Sequence, residues 1–177
     1  MSAIHIDRLT ASQSRERIDG LASVLLDCVA SGASVSYMVP FSLSDARAAY
    51  EPVIDDVAAG KRILLAAFVD ATLVGTVQLA HAAPPNQPHR ADIAKLLVHR
   101  AARDRGVGQA LMQRVEVEAR AAGKTLLVLD TVTGGAAERL YARLGWTAVG
   151  VIPNYALYPD GRPCDTTVFW KDVSRAG

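Results

Sequence analysis

Cysteine is scarce in this chain: Cys28 and Cys164 are the two among 177 residues. They lie far apart and form no CxxC pair, so a disulfide framework is excluded and two reduced thiols are expected. Histidine is nearly as rare, at four residues without ligand spacing, and no metal site is expected. Charge of one sign is not in excess. Nineteen Lys and Arg stand against 18 Asp and Glu, which argues against bulk electrostatic binding of nucleic acid. No apolar run nears the roughly 20 residues that span a bilayer. Residues 1–10 lack the basic-then-apolar order of a secretory signal. A cytoplasmic chain with neither membrane nor nucleic acid as partner is the expectation. No repeat or low-complexity linker is visible either, so residues 1–177 are read as one domain.

What is present is a large apolar fraction, half of all residues, in alternating periods. Ile4, Ile6 and Leu9 suggest an opening strand. Ile18, Leu21, Ala22, Leu25 and Val29 fall on one helical face, ended by Gly32. Ser42 and Asp45 have the spacing of a capping box for a second helix, which reaches Gly60 and bends near Pro52. Residues 63–69 and 73–81 read as strands joined by a turn at Asp70 and Ala71. A proline-rich loop leads to a strand over 90–98 and a long helix over 106–122. A continuous apolar strand over 126–130, a helix over 136–144 and strands over 149–152 and 166–171 follow. The order β-α-α-β-β-β-α-β-α-β-β predicts an α/β layer fold with a mixed sheet.

The sharpest local signal is Arg103-Asp104-Arg105-Gly106-Val107-Gly108-Gln109-Ala110, between a strand and a long helix. Glycines allow a sharp turn and a close backbone approach to a ligand. The unpaired N–H groups of the first helical turn, with the helix dipole, make a site for a pyrophosphate. The glycine spacing is neither that of GxGxxG nor that of a Walker loop.

Taken with their neighbours, these residues form a pattern. Lys95-Leu96-Leu97-Val98, residues 103–108, Leu111, Leu129-Asp130-Thr131, Ala137, Leu140-Tyr141 and Leu144-Gly145-Trp146 together resemble the GNAT superfamily of acetyl-coenzyme A-dependent N-acetyltransferases. That resemblance implies a three-layer α/β fold with a mixed, mostly antiparallel central sheet flanked by helices. A narrower resemblance rests on Gly32-Ala33-Ser34-Val35, Tyr37-Met38, Arg90-Ala91-Asp92 and Pro159-Asp160-Gly161-Arg162. These segments are similar to the tabtoxin-resistance acetyltransferases, which act on a β-lactam toxin resembling an amino acid.

The resemblance implies roles residue by residue. The backbone of Leu96, Leu97 and Val98 pairs with the pantetheine arm of acetyl-coenzyme A. The amides from Arg103, Asp104, Arg105, Gly106, Val107, Gly108, Gln109 and Ala110 hold its pyrophosphate. Tyr141 takes the place of the acid that reprotonates the departing thiolate. Many relatives carry Asn where this chain has Gly134, so a side-chain contact is lost there.

An amine attacks a thioester only as the free base. A lysine-like amine must give up its proton at a cost of about 4.6 kcal/mol at neutral pH, an α-amine at about 1.4 kcal/mol. Asp92 and Asp130 are the candidate proton acceptors. Alternation along the strand predicts Asp92, Ala94, Leu96 and Val98 on one face. Ser34, Tyr37, Tyr155 and Arg162 are candidate acceptor-binding residues, Arg162 as a partner for a carboxylate. The expected acceptor is a small amine. A protein or peptide amine, and a non-catalytic acyl-coenzyme A sensor, are the alternatives. The sequence leaves open whether the protein forms a homodimer.

Overall fold

The computed structural model describes residues 3–174. The chain opens with strand β1 (Ile4–Leu9) and three helices, α1 (Ala11–Glu16), α2 (Ile18–Ala30) and α3 (Leu43–Ala58). Strands β2 (Arg62–Val69), β3 (Thr72–His81) and β4 (Arg90–Val98) follow. Helix α4 (Val107–Ala121), strand β5 (Leu126–Val132), helix α5 (Ala136–Arg143) and strands β6 (Thr147–Leu157) and β7 (Pro163–Asp172) complete the order. All seven strands form one sheet, ordered β1-β2-β3-β4-β5-β7-β6. Each neighbouring pair is antiparallel except β4 with β5. No helix among the described residues is long and apolar enough to cross a membrane.

Helices cover both faces of the sheet, which explains the unbroken apolar run of β2. Ile63, Leu65 and Ala67 feed one core beneath α4 and α5, with Val77, Leu111 and Trp146. Leu64, Ala66 and Phe68 feed the other, beneath α2 and α3, with Leu21, Leu25 and Tyr50. Both cysteines are free and buried.

Three features depart from the sequence expectations. Helix α1 is additional. Thr10 caps it, its hydroxyl accepting from the Gln13 N–H at 3.2 Å while Gln13 accepts from the Thr10 N–H at 2.9 Å. Of its six residues only Ser14 is buried, so there is no apolar stripe to read. Strand β6 runs from residue 147 to 157, well beyond 149–152. It forms the sheet edge and is exposed almost throughout, so alternation does not mark its ends. Its pairing with β7 slips twice, between Ala148 and Gly150 and between Ile152 and Ala156.

The third departure matters most. Strict alternation would set Asp92, Ala94, Leu96 and Val98 on one face, but β4 is bulged. Lys95 has φ +52°, and the register against β3 shifts between Thr76 and Gln78. Past the bulge the faces exchange. Leu96 and Val98 pack with Ala91 and Ile93 on the α4 side, whereas Leu97 joins the opposite core.

Two charge clusters fix the helices around this strand. Asp27, near the end of α2, accepts from the backbone N–H of Arg100 at 2.8 Å and from its guanidinium. His99 lies 3.6 Å away and Arg103 3.9 Å. Burial pushes the Asp27 carboxyl up, but the Arg100 bonds and the His99 charge outweigh it and hold it below the usual carboxylate range. On the other face, buried Glu116 of α4 accepts from Lys171 of β7 at 2.8 Å and from the Trp146 indole at 3.1 Å. Lys171 also donates to the Leu144 carbonyl at 2.7 Å, closing the end of α5.

Removing one partner of a buried ion pair strands the other charge. Lys171→Met is therefore expected to destabilise the protein by about 3 kcal/mol in urea unfolding at neutral pH, while Glu116→Gln/Lys171→Met together restores much of the loss. The depressed Asp27 stabilises the fold above its unfolded value of about 4. That contribution is lost as pH falls through the folded value. Asp27→Asn should thus cost more than about 1 kcal/mol at pH 7 and much less at pH 3.

Candidate active site

The parallel pairing of β4 with β5 is short. It covers Arg90, Ala91 and Asp92 against Leu126, Leu127 and Val128 and then stops. Beyond it β4 stays with β3 as far as Val98, and β5 stays with β7 as far as Val132. The two strands splay, and a cavity of about 1030 Å³ opens along the freed edge of β4. Leu96, Leu97 and Val98 line it, and their strand edge toward β5 has no sheet partner, so apart from the Val98 carbonyl, which Arg103 takes, its peptide groups can pair with an extended ligand.

One end of the cavity is the start of α4. Gly106 occupies the N-cap with φ +82° and offers no side-chain cap, so the first-turn N–H groups are not consumed by one. Asp104, at φ +59°, helps turn the loop. Gly108 lets α4 approach closely: a Cβ there would sit 3.3 Å from Leu140 of α5 and 3.8 Å from Val98. Arg103, Asp104, Gly106, Val107, Gly108 and Gln109 all line this end. Two of the residues read as ligand-holding do not. Arg105 is outside the lining, and the N–H of Ala110 is already bonded to the Gly106 carbonyl at 3.0 Å. Arg103 is mainly a brace. It donates to the Val98 carbonyl at 3.1 Å and to Ser31 at 2.9 Å, tying the loop to α2.

Asp130 and Tyr141 line the same cavity where β5 and α5 border it. Asp130 lies inside the strand, which continues two residues further, and its carboxylate accepts from the Thr166 hydroxyl at 3.2 Å. Tyr141 is buried against Trp146 and Phe169, at ring distances of 6.0 and 5.9 Å. Burial, and then the charge of Asp130, push its phenol well above the usual range, so the hydroxyl stays protonated. Asp92 is not brought to this group. It sits in the paired stretch, outside the lining, and is bonded to Arg90.

A strap over residues 31–38 crosses the cavity. Ser34 lines it and donates to the Leu157 carbonyl at 2.7 Å, and the Val39 N–H donates to the Pro159 carbonyl at 3.1 Å. The strap is thereby bonded to the β6–β7 hairpin. Tyr37 stacks on Phe41 at 4.8 Å and sits behind the lining rather than in it. Tyr155 is 55% exposed on β6, away from the cavity. Arg162 is not placed to meet a ligand there: it pairs with Asp160 at 2.8 Å and covers the ring of Tyr158 at 5.2 Å. It is Tyr158, beneath it, that reaches the cavity.

Lys95, Arg139 and Arg143 line the cavity and were not singled out from sequence as site residues. Lys95 carried a signal, a cation inside the otherwise apolar run of residues 93–98. The arginines of α5 look like any solvated helix face. Gly134, at φ +78°, begins the turn into that helix, and Arg139 donates to its carbonyl at 3.0 Å. Among the described residues no cluster of metal-ligating side chains occurs.

Comparison with known structures gives the same fold along nearly the full length. The yncA protein of Salmonella typhimurium, solved with its cofactor acetyl-CoA, matches with a TM-score of 0.79 at 19% identity, over 99% of this chain and 97% of that one. A ribosomal-protein-alanine N-acetyltransferase of Brucella melitensis matches with a TM-score of 0.77 at 19% identity, over 95% and 99%. A protein provisionally named a phosphinothricin N-acetyltransferase matches with a TM-score of 0.79 at 16% identity, over 98% and 100%. At such identities the likeness is one of fold. The sequence itself fits the model of the acetyltransferase (GNAT) family over residues 33–146, more than half of its length. With the splayed strands, the uncapped helix start and the spaced motifs in one frame, the chain belongs to the GNAT acetyltransferase family.

Proposed function

We propose that the protein transfers an acetyl group from acetyl-coenzyme A to the amine of a small, amino-acid-like or toxin-like acceptor, with tabtoxin-type resistance as its narrower setting. The observation that carries this is the cavity opened by the β4–β5 splay. It has an uncapped helix start at one end and a carboxylate beside a protonated phenol at the other. The first-turn N–H groups of α4 suit a pyrophosphate, and the free edge of residues 96–98 suits the amides of a pantetheine arm.

In the proposed reaction Asp130 accepts the proton of the acceptor's ammonium, directly or through water. The freed nitrogen forms the C–N bond to the thioester carbonyl as the C–S bond breaks. A backbone N–H on the open edge of β4 stabilises the developing oxyanion, and the Tyr141 hydroxyl gives its proton to the leaving thiolate and is reprotonated by the second proton that the nitrogen sheds as the amide forms. Asp92 can join only through a water relay. The bonds between strap and hairpin favour a small acceptor, since they close the groove that a peptide would need.

The test is thiol release from acetyl-coenzyme A with a panel of amino acids, β-lactam toxins, aminoglycosides, polyamines and short peptides. Turnover is expected on a small amine. Tyr141→Phe and Asp130→Asn should each lower kcat by about a hundredfold or more, with acetyl-coenzyme A still bound, and Asp92→Asn should lose less than Asp130→Asn. Tight binding of acetyl-coenzyme A with no turnover on any amine would overturn the proposal in favour of a sensor. A separate check concerns the helix start. Gly108→Val sets branched bulk against Leu140 and Val98 at the cavity lining, and its affinity for coenzyme A by calorimetry should fall at least about tenfold.

A further inference from the structure

Lys95 lines the cavity as a charged group for which the proposed chemistry has no use. It interrupts the apolar run of β4 in a left-handed conformation, φ +52°, which costs an L-residue about 1 kcal/mol. Strain of that kind persists where the surroundings fix it, and it concentrates at ligand-binding positions. The residue is half-buried and lines the cavity. Its Nζ donates to the Val35 carbonyl at 2.6 Å and to the Ser36 hydroxyl at 2.7 Å, both in the strap, and lies 5.4 Å from the Tyr37 ring centroid. All three neighbours are electron-rich and uncharged. They favour the ammonium form but do not neutralise it.

Among the described residues no carboxylate comes within ion-pair distance of Lys95, although twelve such pairs occur elsewhere. Asp130 is near enough for Lys95 to feel its charge but makes no ion pair with it. An ammonium has three N–H donors, and the strap takes two. The cavity thus holds a cation with one donor to spare and, apart from it, a carboxylate. A half-buried charge that no carboxylate touches gains from an anion that meets it.

Resting on the acetyl-transfer reading, we propose that Lys95 selects the acceptor by binding its carboxylate, so that the substrate is an amino acid held with its amine toward Asp130 and its carboxylate on the Lys95 ammonium. The strap contacts that Lys95 already makes hold it in place for this. An acceptor lacking the carboxylate leaves the cation unpaired and is rejected, as a site built around a hydrogen bond rejects an analogue that cannot make it.

The experiment is calorimetric titration of the protein loaded with free coenzyme A, which cannot transfer an acetyl group. The ligands are the common L-amino acids and a β-lactam amino acid, each beside its carboxamide. The tightest-binding acid is expected to bind at least about tenfold better than its carboxamide. Lys95→Met should bring the two within about twofold, and Lys95→Arg should keep most of the preference. A purely structural lysine would weaken acid and carboxamide alike. Equal binding of acid and carboxamide, preference retained in Lys95→Met, or binding of no acid at all would overturn the proposal. An acid that binds through Lys95 yet gives no thiol release from acetyl-coenzyme A would instead strike the acetyl-transfer reading and leave carboxylate recognition standing.

Discussion

Everything at the site depends on a sheet that declines to close. Two parallel strands that share three residue pairs are free to continue, yet β4 and β5 part after Asp92 and Val128 because each follows its antiparallel partner. The bulge at Lys95 adds a local turn to β4 at this point and exchanges its faces. Leu96 and Val98 thereby face α4 rather than α2. Gly75, paired with Val98, lets α4 settle there: a Cβ would lie 2.9 Å from the Leu97 carbonyl and 3.1 Å from Val107. The same small region therefore opens the cleft and brings the helix start up to it.

Much of the frame was legible in the sequence because its elements bury one or two faces. The double core of β2, the stripe of α4 and the capping box at Ser42 left plain periodic signals. Helix α1 and the full length of β6 left none, since nearly all their side chains meet water. The site divides in the same way. Gly106 and Gly108 were readable because no other residue type does their work as cheaply. Asp130 and Tyr141 were readable through the spacing of the motifs around them. The Lys95 bulge was not, because period-two reasoning assumes an unbroken strand, and one extra residue inverts every assignment beyond it. Arg162 misled for a related reason: its turn partner Asp160, two residues away, satisfies it locally.

Three of the cations that line the cavity differ in what they already hold. Arg103 and Arg139 are committed to carbonyls and a hydroxyl of the loops they steady. They shape the walls more than they offer charge. Lys95 is committed only to neutral oxygens and keeps its charge in play. Set beside Arg103 and Arg139, Lys95 is the freer charge by its hydrogen-bond partners. The Asp27 cluster extends the logic, because it anchors the end of α2 to the segment between β4 and α4 and so couples the strap's root to the loop at the helix start.

The rim strand β6 carries exposed Val149, Val151 and Ile152, a composition that in a flat, regular edge invites another chain to add on. Its two slips of register prevent that. Pro153 contributes no N–H, and Asn154 turns left-handed at φ +52°. The outer row of donors and acceptors is thus broken into short pieces that no straight strand can follow. The apolar rim is kept from acting as a template for aggregation by the shape of its backbone rather than by charge.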